Sequence, residues 1–181
     1  MLVESLCEST FTTGSTTFDN ELAAINLRKI LEHIAFGSLT ANSTAYTAAY
    51  DGIASVWRAK KLLDKLEFIH SDFYPRPLQI PNATINQGSP RHLHFDYVKH
   101  GYLTRDEFVE LYDTCSEVIH SRNPFKENTV VDFRLPIIEW AGKIRSLLAL
   151  HLFRLSGLPQ LWIGELQGPD GQSHVAVASS I

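Results

Sequence analysis

Cysteine is scarce in this chain, with two residues in 181, Cys7 and Cys115. Neither sits in a CxxC pair, so no disulfide framework is expected and a reducing compartment is the simplest reading. Long apolar runs are missing as well. The richest stretch, Ile144 to Leu155, is broken by Arg145, His151 and Arg154. A membrane-spanning helix needs roughly 18–20 apolar residues. The first eight residues, Met1 to Glu8, lack a basic segment followed by a long apolar one, which argues against a signal peptide and for a cytoplasmic protein. Positive charge is not in excess: 16 Lys and Arg stand against 20 Asp and Glu, for a net charge of -4 and a pI near 6.0. That balance excludes a global field drawing in nucleic acid, and any such contact has to be local. The chain also has no Walker A loop, no GxGxxG, no GxSxG, no HExxH, no internal repeat and no heptad pattern.

What is present points to a folded, mainly α-helical chain. Hydrophobic residues make up 44% of it and charged ones 20%, which excludes wholesale disorder and suits one domain over 1–181. Residues 1–17 carry little pattern beyond a short apolar face (Leu2, Val3, Leu6, Cys7) and a Ser/Thr-rich loop. A helix is expected from Asp19, as N-cap, to Phe36, with Ala23, Leu27, Ile30, Leu31 and Ile34 as its core stripe and Gly37 as its end. Further helical stretches are expected from Asn42 to Tyr50 and from Ser55 to Leu66. Pro75, Pro77, Pro81 and Pro90 forbid long helices over 70–103, where Leu78 to Ile80 and Arg91 to Val98 can be extended. Thr104 with Glu107 three residues on forms a capping box, opening a helix that Asn123-Pro124 closes. Pro136 starts a last, largely apolar helix expected to reach Leu155. Leu161 to Gln167 and Ser173 to Val177 flank Gly168-Pro169-Asp170-Gly171, a hairpin in which Gly171 supplies positive φ. The expected architecture is a bundle of four to six helices over 19–155 with a small antiparallel sheet around the 160–178 hairpin, residues 91–98 being its expected third strand.

Two polar clusters interrupt the apolar helices. The first is Asn26 to His33. Arg28 and Glu32 stand one turn apart and can pair, which reads equally as a solvated face. In a functional reading Arg28 grips a phosphate bidentately and His33 moves a proton. Five residues turn an α-helix by about 140°, so Arg28 and His33 face different sides unless the backbone is irregular. The second cluster is His120-Ser121-Arg122-Asn123. It reads as an ordinary helix C-terminus, or as the far wall of a groove facing Arg28 and Glu32, with His120 as proton carrier and Arg122 as clamp. A third candidate is His92, His94 and Asp96, which share one face of an extended segment at metal-ligand spacing or simply face solvent.

The helical layout, the phrase Leu27-Arg28-Lys29-Ile30-Leu31-Glu32 in an early helix, and Ile119-His120-Ser121-Arg122-Asn123-Pro124 after a later one resemble the HEPN superfamily of helical nucleotide-binding domains, over residues 19–155. The resemblance implies a branch of unknown function, bacterial and accessory or defence-related. Its ribonuclease branch carries an arginine followed four to six residues later by a histidine. Arg28 with His33 has that spacing, as does Arg145 with His151. By this resemblance the chain binds nucleotide or RNA, without a cofactor. If it is an enzyme, it is a metal-independent ribonuclease with Arg28, His33 and His120 catalytic and Glu32, Arg122 and Asn123 binding the ligand. Two other functions stay open: a non-catalytic module that homodimerises through a helix face or the hairpin edge, and a metal-dependent hydrolase using His92, His94 and Asp96.

Overall fold

The computed structural model describes residues 2–42, 46–47, 59–80, 94–120 and 133–179. Five helices and five strands are described: α1 (Leu2–Cys7), α2 (Thr16–Ala41), α3 (Ala59–Ile69), β1 (Arg76–Gln79), β2 (Asp96–Tyr97), α4 (Arg105–Ile119), α5 (Ile137–Leu148), β3 (Leu150–Arg154), β4 (Leu161–Glu165) and β5 (His174–Ala178). The strands form one antiparallel sheet in the order β2-β1-β3-β4-β5.

This corrects the expected mainly helical bundle with a small hairpin. The decisive difference lies at 149–154. The last helix stops at Leu148, and the next residues become the central strand, paired with β1 on one side and β4 on the other. Ile144 to Leu155 is apolar at eight of its twelve positions, so it fits a strand as well as a helix, and Leu and Ala favour the helix. The alternative is decided by partners distant in sequence: Arg76 and Pro77 face Leu152 and His151, while the hairpin covers the other edge. Residues 96–97, expected beside the hairpin, lie instead at the opposite edge of the sheet, against β1.

α2 is longer than its pattern suggested. Its N-cap is Ser15, and Asp19 sits in the first turn. The Asp19 carboxylate accepts from the Thr12 hydroxyl and the Thr13 N–H, both at 2.7 Å, so the Ser/Thr-rich loop folds back onto the helix start. Gly37 does not end the helix, which runs through to Ala41 with Asn42 as C-cap. The expected stretch from Asn42 to Tyr50 falls mostly outside the described residues. The Thr104 capping box is present, with the Glu107 N–H donating to Thr104 Oγ1 at 3.3 Å and the Glu107 carboxylate accepting from the Thr104 N–H at 3.2 Å. The α4 helix ends with His120 as C-cap, and Asn123-Pro124 lies outside the described residues. In the hairpin turn the Gly171 N–H donates to the Gly168 carbonyl at 2.9 Å, and Gly171 has φ +78°.

The core lies among the helices. Leu27 and Leu31 of α2 pack with Leu62 and Leu66 of α3, Phe108 and Leu111 of α4, and Trp140 and Leu147 of α5, all of them buried. Each such side chain contributes about 1.5–3 kcal/mol through burial. α2 runs along α4, and α5 packs against β1 and β3, joining the helices to the sheet. Among the described residues no helix is long and apolar enough to cross a membrane.

Candidate functional site

The fold separates the two arginines from the two histidines with which they were paired by spacing. Arg28 turns toward α4. Its Nε donates to Glu32 Oε1 at 3.1 Å, and its guanidinium lies 4.9 Å from the centre of the Tyr112 ring. The Tyr112 hydroxyl donates to the same Glu32 oxygen at 3.2 Å. Cys115, one turn along α4, is fully buried beneath this group, and burial pushes its thiol up to about 12. Arg145 pairs with Glu4 of α1. Both arginines therefore tie helices together.

The histidines converge. His33 from α2 and His151 from β3 line one cavity of about 420 Å³ between the C-terminal half of α2, the segment after α3, and β3. Its walls are mainly apolar: Ile30 and Ile34, then Phe73 and Pro75, then Leu148 and Phe153. Gly37 lies on the α2 wall, and a β-carbon there would meet nothing from outside its own stretch of helix within 4 Å. The positions 30, 33, 34, 37, 38 and 41 follow helical spacing, so a single face of α2 supplies one side of the cavity.

The polar groups of the cavity are held in defined geometries. Asn42 is the one buried polar side chain among the described residues. Its Nδ2 donates to the Ser38 carbonyl at 3.1 Å, and its Oδ1 accepts from the Ser156 N–H at 2.5 Å, fastening the end of α2 to the turn after β3. The Ser38 hydroxyl donates to the Phe73 carbonyl at 3.2 Å. Arg154 also lines the cavity, with its Nε 3.6 Å from an Asp72 oxygen, and Arg76 pairs with the same carboxylate. His33 is exposed, and His151 is half-buried.

His151 is the most constrained of these groups. Its Nδ1 lies 3.0 Å from the Leu148 carbonyl. Its ring rests against Gly164 of β4, where an added β-carbon would come within 2.7 Å of Cε1 and 2.8 Å of Nε2. The Phe153 ring stands 5.8 Å away, tilted by 31°. Desolvation lowers the imidazole pKa below its ordinary value, and the bond to Leu148 only partly opposes this, so the ring is neutral at pH 7.

The remaining candidates lie elsewhere. Contacts of Arg28 with Cys115 and of Glu32 with Tyr112 mean that α2 and α4 run antiparallel. His120, five residues past Cys115, is therefore displaced about 7.5 Å along α4 toward the start of α2. His33 lies beyond Glu32 in the other direction. His120 is exposed, and Arg122 and Asn123 lie outside the described residues. His94 Nε2 is 3.5 Å from Asp96 Oδ1 on the exposed edge of the sheet, and His92 lies outside the described residues. Among the described residues no group of three or more His, Cys, Asp and Glu side chains is arranged to hold a metal ion.

Sequence reasoning missed Gly37, Phe73, Phe153 and Arg154 as lining residues, and Gly164 as the seat of the His151 ring. One signal was available: a lone glycine inside a strand pattern marks a close approach, and Gly164 is such a residue. Compared with known proteins, the chain matches no family model, no curated protein and no solved structure.

Proposed function

We propose that this chain binds a small molecule with an apolar body in the cavity between α2 and β3. The observation that carries this reading is the convergence of His33 and His151, from elements far apart in sequence, on one mainly apolar space of about 420 Å³. Small-molecule sites have this character: concave, apolar, with a few placed polar groups. The size suits a two-ring aromatic, which includes the base of a nucleoside. The reading uses the histidine of each Arg–His pair and neither arginine, because Glu32 and Glu4 occupy the guanidinium groups. The test is a titration of the labelled protein with naphthol, adenosine and guanosine, read by backbone amide NMR. A binding compound is expected to move the Gly37 and Gly164 amides. If none of the three shifts them, the reading is refuted.

A second reading is homodimerisation through the outer edge of β5, which pairs with no further strand among the described residues. It is favoured by Val175 and Val177, 61% and 55% exposed on an edge strand that carries no Lys, Asp, Glu or Pro. Native edges are usually protected by such residues, and unprotected ones pair. Sedimentation of the wild type and Val177→Lys tests it: a dimer that becomes a monomer supports the reading, and a wild-type monomer at high concentration rejects it.

A further inference from the structure

We propose that the ligand of this cavity carries a neutral O–H or N–H on its ring system and donates it to Nε2 of His151. The inference rests on the cavity reading above and specifies its chemistry. The Leu148 carbonyl can only accept, so the neutral His151 must donate from Nδ1, at 3.0 Å. That tautomer leaves Nε2 with a bare lone pair. No protein group among the described residues bonds to Nε2. The ring is tied at Nδ1 and laid against the backbone of Gly164, which sets its orientation. The result is a positioned acceptor on a residue that lines an otherwise apolar space. An acceptor in such surroundings is costly unless a donor meets it.

The charge around the cavity points to a neutral donor. A carboxylate would set its own lone pairs against Nε2. Arg154, the permanent cation of the lining, already stands beside Asp72. His33 sits at the exposed mouth, where water competes for its bonds. A site with a positioned acceptor discriminates against an isostere that lacks the donor, because that isostere leaves the acceptor unpaired.

The experiment compares naphthol with methylnaphthalene, which differ by a hydroxyl against a methyl of similar size, by calorimetric titration of the full chain. Wild type is expected to prefer naphthol roughly tenfold. In His151→Phe, which keeps a ring over Gly164 and removes the acceptor, the preference is expected to fall to about one. Equal affinity of wild type for the two compounds overturns this inference and leaves the cavity reading standing. Failure of naphthol, methylnaphthalene, adenosine and guanosine alike to bind, with unmoved Gly37 and Gly164 amides, overturns both. Should His151→Phe not fold, nitrogen NMR of the wild-type imidazole decides: naphthol must shift the Nε2 resonance and methylnaphthalene must not, and an Nε2 resonance unmoved by bound naphthol refutes the donor.

Discussion

Filling the cavity from the helix that walls it should strengthen the protein while abolishing binding. Gly37 lies within α2, on the face that lines the cavity, with no atom from outside its own stretch of helix within 4 Å of where its β-carbon would stand. Gly37→Leu has two favourable consequences. Replacing a helix-interior glycine by leucine gains roughly 0.5–1 kcal/mol in backbone terms. Full burial of a leucine side chain is worth about 1.5–3 kcal/mol, and a cavity open at its mouth returns only part of that. A total gain of about 1–2 kcal/mol is expected, which for a chain of this size raises the melting temperature by roughly 2–8 °C. Naphthol binding should fall by at least about tenfold, since the isobutyl group occupies the ligand's space. Gly37→Ala separates the two effects, keeping the helix gain with little loss of binding. Thermal melts followed by circular dichroism, together with the calorimetric titration, measure both quantities. A lower melting temperature in Gly37→Leu would mean that the space is not there. Unchanged naphthol binding in a stabilised variant would mean that the ligand sits elsewhere.

Three further outcomes follow from the same geometry. Gly164→Ala should cost about 1–3 kcal/mol in urea unfolding and weaken naphthol binding, because the new methyl would come within 2.7 Å of the His151 ring and displace it; a stable variant with intact binding would contradict the described ring position. Asn42→Ala should cost about 1–3 kcal/mol by leaving the Ser156 N–H without its acceptor, so a change below about 0.5 kcal/mol in the same assay would show that water replaces it. Stability should also depend on pH through His151. Its folded pKa lies below the ordinary value of about 6.5, so the unfolded chain takes up the proton first as pH falls. The contribution is fully present above about pH 6.5 and is lost as pH drops toward the folded value. His151→Phe should flatten that part of a urea-midpoint against pH curve, and an unaltered slope would assign it to other groups.

The parts legible in the sequence are those governed by neighbours along the chain. The Thr104–Glu107 capping box is a matter of four consecutive residues. The hairpin turn depends on Gly171, whose positive φ needs no information from elsewhere. The stripe Leu27, Leu31 with Ala23 follows from helical period alone. The strand β3 was not legible. His151, Leu152 and Phe153 follow a leucine-rich stretch that suits a helix, and only the arrival of β1, more than seventy residues earlier, selects the extended state. The same holds for the cavity. Arg28 and His33 are five residues apart and look like one constellation, yet helix rotation sends the first to Tyr112 and the second to the sheet side.

By itself, then, the amino-acid sequence determined the helix start at Thr104, the hairpin turn chemistry and the apolar helix faces. Each of these rests on torsional preference or on hydrophobic period within a few residues. Tertiary structure alone decided that a leucine-rich segment becomes a central strand, that Arg28 lies on Tyr112 and Arg145 pairs with Glu4, and that His33 and His151 share a cavity. Those outcomes depend on long-range pairing of backbone groups and on which side chains meet across packed elements, quantities that no local stretch of chain encodes.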